Sequence, residues 1–272
     1  MGFVILMKNT LIQSIWKHKQ LIIELIKVEL LSEFKRSFLG VFWVFFKSLF
    51  PLVLWLMLQQ AGLFKPGVTQ VPYVLYLLTG LSIWNLFHQV YEKSSEALIQ
   101  YATILKEARF PHEILIYSKA LTAILMQGLP SVIAFLLLVF IAKIQIFSVL
   151  TGMLFLIPVL FTALSAGIIF SLIRVVLPDI FQITDRLFSL GLYITPIIYT
   201  SSIQDGWLKV IIKYNPLTYL IGFPRDIMTG TPINMQSIQI FIVLSAVSIL
   251  LWFIASIYFR KSEKRFVELL VF

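Results

Sequence analysis

Long apolar runs with at most one charge recur along the chain at about residues 38–64, 72–91, 115–142, 149–173, 187–200 and 237–259. A helix crossing a bilayer needs roughly 20 such residues, so these runs predict six spans. An even number puts both ends of the chain on one face. Two stretches follow other patterns. Over residues 16–36, Leu21, Ile22, Leu25, Ile26 and Leu30 share one helical sector, while Lys17, Glu24 and Lys27 lie elsewhere. That predicts an amphipathic helix lying along the membrane surface. Between the last two spans, the apolar pieces 207–212 and 216–223 are too short to cross and are interrupted by Asn215-Pro216 and Pro224. Non-helical backbone at membrane depth survives only inside protein or along a water-filled cavity, so this stretch predicts a re-entrant loop that helps form a pathway. Pro196, inside the fifth run, is expected to free a backbone carbonyl and kink its helix.

Composition turns this pattern into a class. Of 272 residues, 59% are apolar and 13% charged, and the mean hydropathy is +0.93. Soluble domains are near a quarter charged, so a water-exposed surface is excluded and lipid is the main solvent. The absence of cysteine excludes disulfides, thiolate metal sites and cysteine nucleophiles. Residues 1–7 lack a basic flank and a small-residue cleavage site, so no removable signal peptide is expected.

Charge sets orientation. Fifteen of the 22 Lys and Arg residues fall in the N-terminal arm, the second-to-third and fourth-to-fifth connections and the C-terminal tail, against five on the opposite face. Basic residues are retained in the cytoplasm, which places both termini there. The net charge of +9 is then topology signal and attraction to anionic lipid, not a nucleic-acid footprint. Lys119 and Lys47 fall within proposed spans. Lys119 lies one turn inside and is expected to snorkel to the interface. Lys47 either belongs to an interfacial aromatic stretch with Phe42, Trp43, Phe45 and Phe46, or faces an aqueous path.

The chemistry is mostly one of absences. No G-x-x-x-x-G-K-[ST] loop occurs, so ATP hydrolysis by that route is excluded. His18, His88 and His112 are too far apart in sequence to share a helix face as ligands, and neither metal nor cofactor is expected on this chain. No acid lies within the proposed spans, which argues against a proton-coupled carrier. No catalytic dyad or triad assembles, and an enzyme is not expected. A membrane domain without an engine predicts a translocation subunit that takes its energy from a partner. The 92–114 connection is the natural socket: it mixes Lys106, Glu107, Arg109 and Glu113 with the turn-forming Phe110-Pro111. A solvated loop of scattered charge is the competing reading.

Several residues, in order, carry a resemblance. They are Leu39-Gly40 with Trp43; Gly80, Trp84 and Phe87; Leu105-Lys106, then Phe110-Pro111 and Glu113; Thr195-Pro196-Ile197 with Tyr199; Asn215-Pro216-Leu217; Arg225-Asp226; and Glu263 with Arg265-Phe266. From about residue 25 onward the chain resembles the membrane subunit of ABC-2 type exporters, in the branch that moves O-antigen, capsule or teichoic acid. It departs from that pattern at Pro178-Asp179, and in the distance from Trp43 to Pro51.

The resemblance implies an all-α integral membrane protein with six transmembrane helices. Residues 1–37 are then a cytoplasmic arm with the amphipathic helix, 38–259 the ABC-2 transmembrane domain and 260–272 a cytoplasmic tail. It implies a homodimer in the bacterial cytoplasmic membrane, working with two ATPase subunits that carry ATP and Mg, and exporting a lipid-linked glycan. Coupling to the ATPase falls to Leu105, Lys106, Glu107, Arg109, Phe110, Pro111 and Glu113. The re-entrant gate on the outer side falls to the 200–230 loop, with Thr195, Pro196, Asn215, Pro216 and Arg225 as its candidate residues. Trp43, Phe46, Trp84, Phe87, Tyr193 and Tyr199 are candidate aromatic faces along the pathway, since sugar C–H groups stack on rings without a fixed register. Belt or packing roles for the same rings stay open. Alternatives are an exporter of another amphiphile, such as a glycolipid or drug, or a self-sufficient carrier or channel. Which polymer is carried is not legible in the residues.

Overall fold

The computed structural model describes residues 16–35, 41–102, 110–200 and 206–271, and no strand occurs among them. Their helices are α1 (Lys19–Lys35), α2 (Val41–Gln60), α3 (Tyr73–Gln100), α4 (Glu113–Phe140), α5 (Ile146–Leu154), α6 (Ile157–Val176), α7 (Pro178–Ile194), α8 (Trp207–Tyr214), α9 (Pro216–Met228) and α10 (Met235–Val271). Among the described residues, three stretches are long and apolar enough to cross a membrane by themselves: Glu113–Phe140, Ile146–Val176 and Met235–Glu263. Phe50–Gln60 is a shorter apolar piece within α2.

The helix at the centre of the bundle is not among the three. At about 1.5 Å per residue, the 28 residues of α3 are long enough to span. Yet α3 carries Thr79, Ser82, Ser94 and Ser95 fully buried, and its sides pack on α4 and α6. Its solvent is protein, so small polar residues that allow close approach replace the Leu and Ile that lipid demands. Gly167 of α6 makes that approach possible. A Cβ there would lie 2.4 Å from the Ser94 Cβ and 3.2 Å from the Tyr91 carbonyl oxygen.

Proline explains where the observed helices depart from the hydropathy pattern. The fourth predicted span is divided into α5 and α6 at Phe155-Leu156, just before Pro158 in the first turn of α6. A proline tolerated at a helix start lacks the N–H that would bond back into the preceding turn. The fifth predicted span, 187–200, is displaced. Helix α7 starts at Pro178 and ends at Ile194, with Thr195 extended at φ −84°, ψ 137°. A residue before proline is driven out of the helical region, so Pro196 ends the helix instead of kinking it from within. The stretch expected as non-helical is itself helical in two short pieces, α8 and α9. The second begins at Pro216, where the Asn215 side chain caps the Leu217 N–H at 3.0 Å. Finally, α10 continues without interruption through the 260–271 segment expected as a separate tail.

Two apolar cores result. The larger joins α3, α4, α6, α9 and the 197–199 segment, around Tyr76, Leu77, Ile83, Phe87, Ile197 and Ile221. The smaller gathers Ile22 and Leu25 of α1, Leu98 at the end of α3, Ile114 and Leu115 of α4, Leu172 of α6 and Phe259 of α10.

The α3–α6 approach carries a direct prediction. Gly167→Ala should destabilise the purified protein in detergent by about 1–3 kcal/mol through overpacking. Gly128→Ala, in α4 with nothing within 4 Å of the added methyl, should melt at or slightly above the wild-type temperature. Equal melting of the two variants would contradict this packing.

Candidate functional site

Two regions hold the residues expected to carry function, and they are built differently. The first is the elbow between α3 and α4. Leu105, Lys106, Glu107 and Arg109 lie outside the described residues. The two ends of the elbow are described, and both are tied down. Lys119, in the second turn of α4 and 1% exposed, does not snorkel: its ammonium donates to Glu29 Oε1 of α1 and to Gln100 Oε1 at the end of α3. The Tyr101 hydroxyl donates to the other Glu29 oxygen at 3.2 Å, and the Lys119 ammonium sits 5.0 Å over the Tyr101 ring. Burial, with the Glu29 charge beside it, holds the Tyr101 phenol above its ordinary pKa. One buried cation thus joins the amphipathic-type helix α1 to both helices flanking the elbow.

The other end is held by Glu113. Its carboxylate is buried and receives a two-pronged pair from Arg260 of α10, Nε to Oε2 at 2.8 Å and Nη2 to Oε1 at 2.7 Å. That carboxylate is committed within the chain, and of the remaining residues expected to form the socket only Phe110 and Pro111 are described. Phe110 packs against the smaller core, with its ring 6.2 Å from that of His112. Burial pushes the His112 imidazole below its ordinary pKa.

The second region is the break after α7. Residues 195–200 leave the helix and stay buried, so their carbonyls need donors that neither lipid nor a helix supplies. The Thr195 carbonyl accepts from the Ile197 N–H at 2.7 Å, and side chains serve the Pro196, Ile198 and Tyr199 carbonyls. Arg225 of α9, 1% exposed, donates from Nη1 to the Pro196 carbonyl. The Tyr73 hydroxyl of α3 donates to the Ile198 carbonyl at 2.9 Å, and the Tyr76 hydroxyl makes a long contact of 3.5 Å with the Tyr199 carbonyl. The Tyr199 hydroxyl turns back to the last carbonyls of α7, Tyr193 at 3.0 Å and Ile194 at 3.1 Å.

Arg225 in turn is neutralised by Asp226, with Nε and Nη2 at 2.9 and 2.8 Å from one carboxylate oxygen, and its guanidinium lies 4.3 Å over the Tyr76 ring. Asn215, besides capping α9, donates to Thr195 Oγ1 at 2.9 Å. Gly80 lets the segment in, since a Cβ there would meet Ile197 at 3.1 Å. Four of the five expected gate residues, Thr195, Pro196, Asn215 and Arg225, are therefore joined by hydrogen bonds, and Pro216 opens α9 beside them. Tyr73 and Tyr76 were missed. Their only signal is a pair of tyrosines in the first turn of an otherwise apolar span.

The aromatic candidates separate by environment. The Trp43 side chain lies outside the described residues. Trp84 and Phe87 are buried, the Trp84 ring close enough to Gly191 of α7 that a Cβ there would sit 2.8 Å away. Tyr199 is buried in the break. Phe46 is 40% exposed and Tyr193 51% exposed. Phe46 continues a ladder on α2 with Phe42 at 5.9 Å and Phe50 at 5.7 Å, and Trp55 of α2 lies 6.2 Å from Tyr193.

Long apolar helices around a polar-bearing central helix, with a satisfied break in the backbone, define a multi-pass helical membrane protein. The chain belongs to the ABC-2 type transporter family, whose model matches residues 20–229. It is similar to an O-antigen export system permease protein RfbA from Klebsiella pneumoniae, 28% identical over 92% of this chain and 95% of that protein. A second Klebsiella pneumoniae protein of that name is 31% identical over 74% of this chain and 77% of its own length. A third, from Myxococcus xanthus, is 24% identical over 95% and 98%.

Substitutions at the break and at the elbow check this geometry. Arg225→Met strands the Asp226 carboxylate and the Pro196 carbonyl, and should cost about 3–5 kcal/mol; Tyr73→Phe should cost about 1–3. Because the chain has no cysteine, Ile198→Cys reports the break directly: its labelling by a maleimide should be slow alone and fast in the Arg225→Met background. At the elbow, Lys119→Met or Glu29→Met alone should lower the melting temperature, and the pair together should restore much of it. Additive losses would show that the two charges are independent.

Proposed function

We propose that this chain is the membrane-spanning subunit of an ATP-driven exporter that moves a lipid-linked O-antigen-type polysaccharide from the cytoplasm to the outer face. Two copies, each with six spans and both termini cytoplasmic, sit in the bacterial cytoplasmic membrane with two separate ATPase subunits. ATP and Mg are handled by those partners. The observation that carries this reading is similarity to O-antigen export permeases along nearly the whole chain. The anchored elbow supplies a mechanism.

An ATPase that closes on nucleotide pushes on the segment that includes Leu105, Lys106, Glu107 and Arg109 and ends at Phe110-Pro111. Lys119 and Glu113 tie both ends of that segment to α1, α3 and α10, so a push moves helices instead of deforming a loop. Along α3 the displacement reaches Tyr73 and Tyr76, and with them the break at 195–200, which acts as the outer gate. Phe46 and Tyr193 present ring faces to the sliding polymer. Trp84, Phe87 and Tyr199 hold the gate helices through packing.

The purified chain should hydrolyse no ATP, and should co-purify with a P-loop ATPase. Lys106→Glu with Arg109→Glu should weaken that association at least tenfold and abolish surface polysaccharide in a deletion strain complemented with the variant. A transport-competent chain that purifies without any ATPase would sink the proposal. Loss of a smaller glycolipid, with surface polymer intact, would instead identify an exporter of another amphiphile.

A further inference from the structure

A further polar feature lies where α6 gives way to α7, beside the last turns of α3. A cleft of about 400 Å³ opens there, lined by Arg174, Phe181, Gln182, Ile183, Asp185 and Arg186 among others. That volume is within the range of small-molecule sites. Its depth follows from helix length. The 20 residues of α6 rise about 30 Å, the thickness of the hydrocarbon layer, so Arg174 in its last turn reaches the headgroup level.

The two arginines are differently prepared. Arg174 is oriented by its surroundings: Nη2 pairs with Glu96 at 3.0 Å, Nη1 reaches Ser95 at 3.3 Å, and the guanidinium lies 4.0 Å over the Phe181 ring. Two of its five N–H donors are thereby used among the described residues, and three are left. Arg186 is exposed and has no ion-pair partner among the described residues. An oriented guanidinium beside an uncommitted one is the arrangement that suits a phosphate group, which accepts from several N–H donors at once.

Two other features narrow the ligand. One carboxylate oxygen of Asp185 is buried without a hydrogen-bond partner among the described residues, an acceptor open to a hydroxyl donor next to the phosphate. Beside the cleft, Ile99, Ile180, Ile183 and Leu187 are exposed apolar side chains, a surface for a lipid tail. We infer that this cleft binds the phosphate or diphosphate headgroup of a hydroxyl-bearing membrane amphiphile at the inner leaflet, with Arg174 and Arg186 on the phosphate and Asp185 on the hydroxyl. The inference rests on the exporter reading only for the leaflet. Such a headgroup comes either from the lipid carrier of the exported glycan or from bulk anionic phospholipid.

The test uses the full-length chain in phosphatidylcholine nanodiscs, titrated separately with a polyprenyl diphosphate bearing one sugar and with phosphatidylglycerol. Arg186→Gln, at an exposed position without an ion-pair partner among the described residues, should keep the wild-type melting temperature and weaken binding about tenfold, the loss expected for one charge-assisted contact. Weakening confined to the polyprenyl lipid assigns the cleft to the export substrate, and equal weakening of both assigns it to bulk lipid. Wild-type affinity of Arg186→Gln for both lipids, or no binding of either by the wild type, overturns the inference. ATPase capture measured on the same preparations separates the two ideas. Capture retained with unchanged lipid binding removes the cleft alone, whereas absent capture with the tenfold loss intact removes the exporter reading alone.

Discussion

A backbone that leaves its helix inside a membrane protein must find donors for its carbonyls, and much of this structure follows from how residues 195–200 meet that demand. Pro196 forbids continuation of α7, and no strand lies alongside among the described residues to pair with the extended segment. The donors are long side chains from other helices: Arg225 from α9, Tyr73 and Tyr76 from α3. Each reaches across from a neighbour, so the relative positions of α3, α7 and α9 are set by the same few bonds. A segment satisfied by side chains can be released by moving those side chains. A helix satisfied by its own ladder cannot.

The same reasoning applies to charge at the opposite end of the bundle. Lys119 with Glu29, Glu113 with Arg260 and Arg174 with Glu96 each join helices far apart in sequence. Pairs of this kind contribute little net stability over a well-packed apolar contact, but breaking one leaves an uncompensated charge. Their effect is to fix one arrangement of α1, α3, α4, α6 and α10 against sliding alternatives that an apolar interface would tolerate. Within that frame, α3 runs the full distance from Gln100, beside the elbow, to Tyr73, beside the break.

Hydropathy located α4 and the apolar part of α10 to within a few residues, because side chains facing lipid are chosen by that solvent alone. It placed α7 poorly. Asp185, Arg186 and Ser189 interrupt an apolar face that is otherwise plain, and α7 borders protein and cleft on those sides. Among the gate candidates, Pro196 and Asn215 were legible as breaks, while Thr195 and Arg225 were legible only through the family resemblance. Their partners Tyr73 and Tyr76 were not, since a tyrosine near a span end usually signals nothing beyond the interface.

By itself the sequence determined the solvent of the chain, the number of long apolar runs, and the places where proline prevents a helix from continuing. These are local or summed properties, and they need no knowledge of what lies alongside. Which buried charge meets which, and which ring is enclosed rather than open, was decided only when the helices packed. Lys119 could reach the interface or a carboxylate with equal ease as far as its own neighbours in sequence are concerned. The choice lay with Glu29, ninety residues away, carried into place by a different helix.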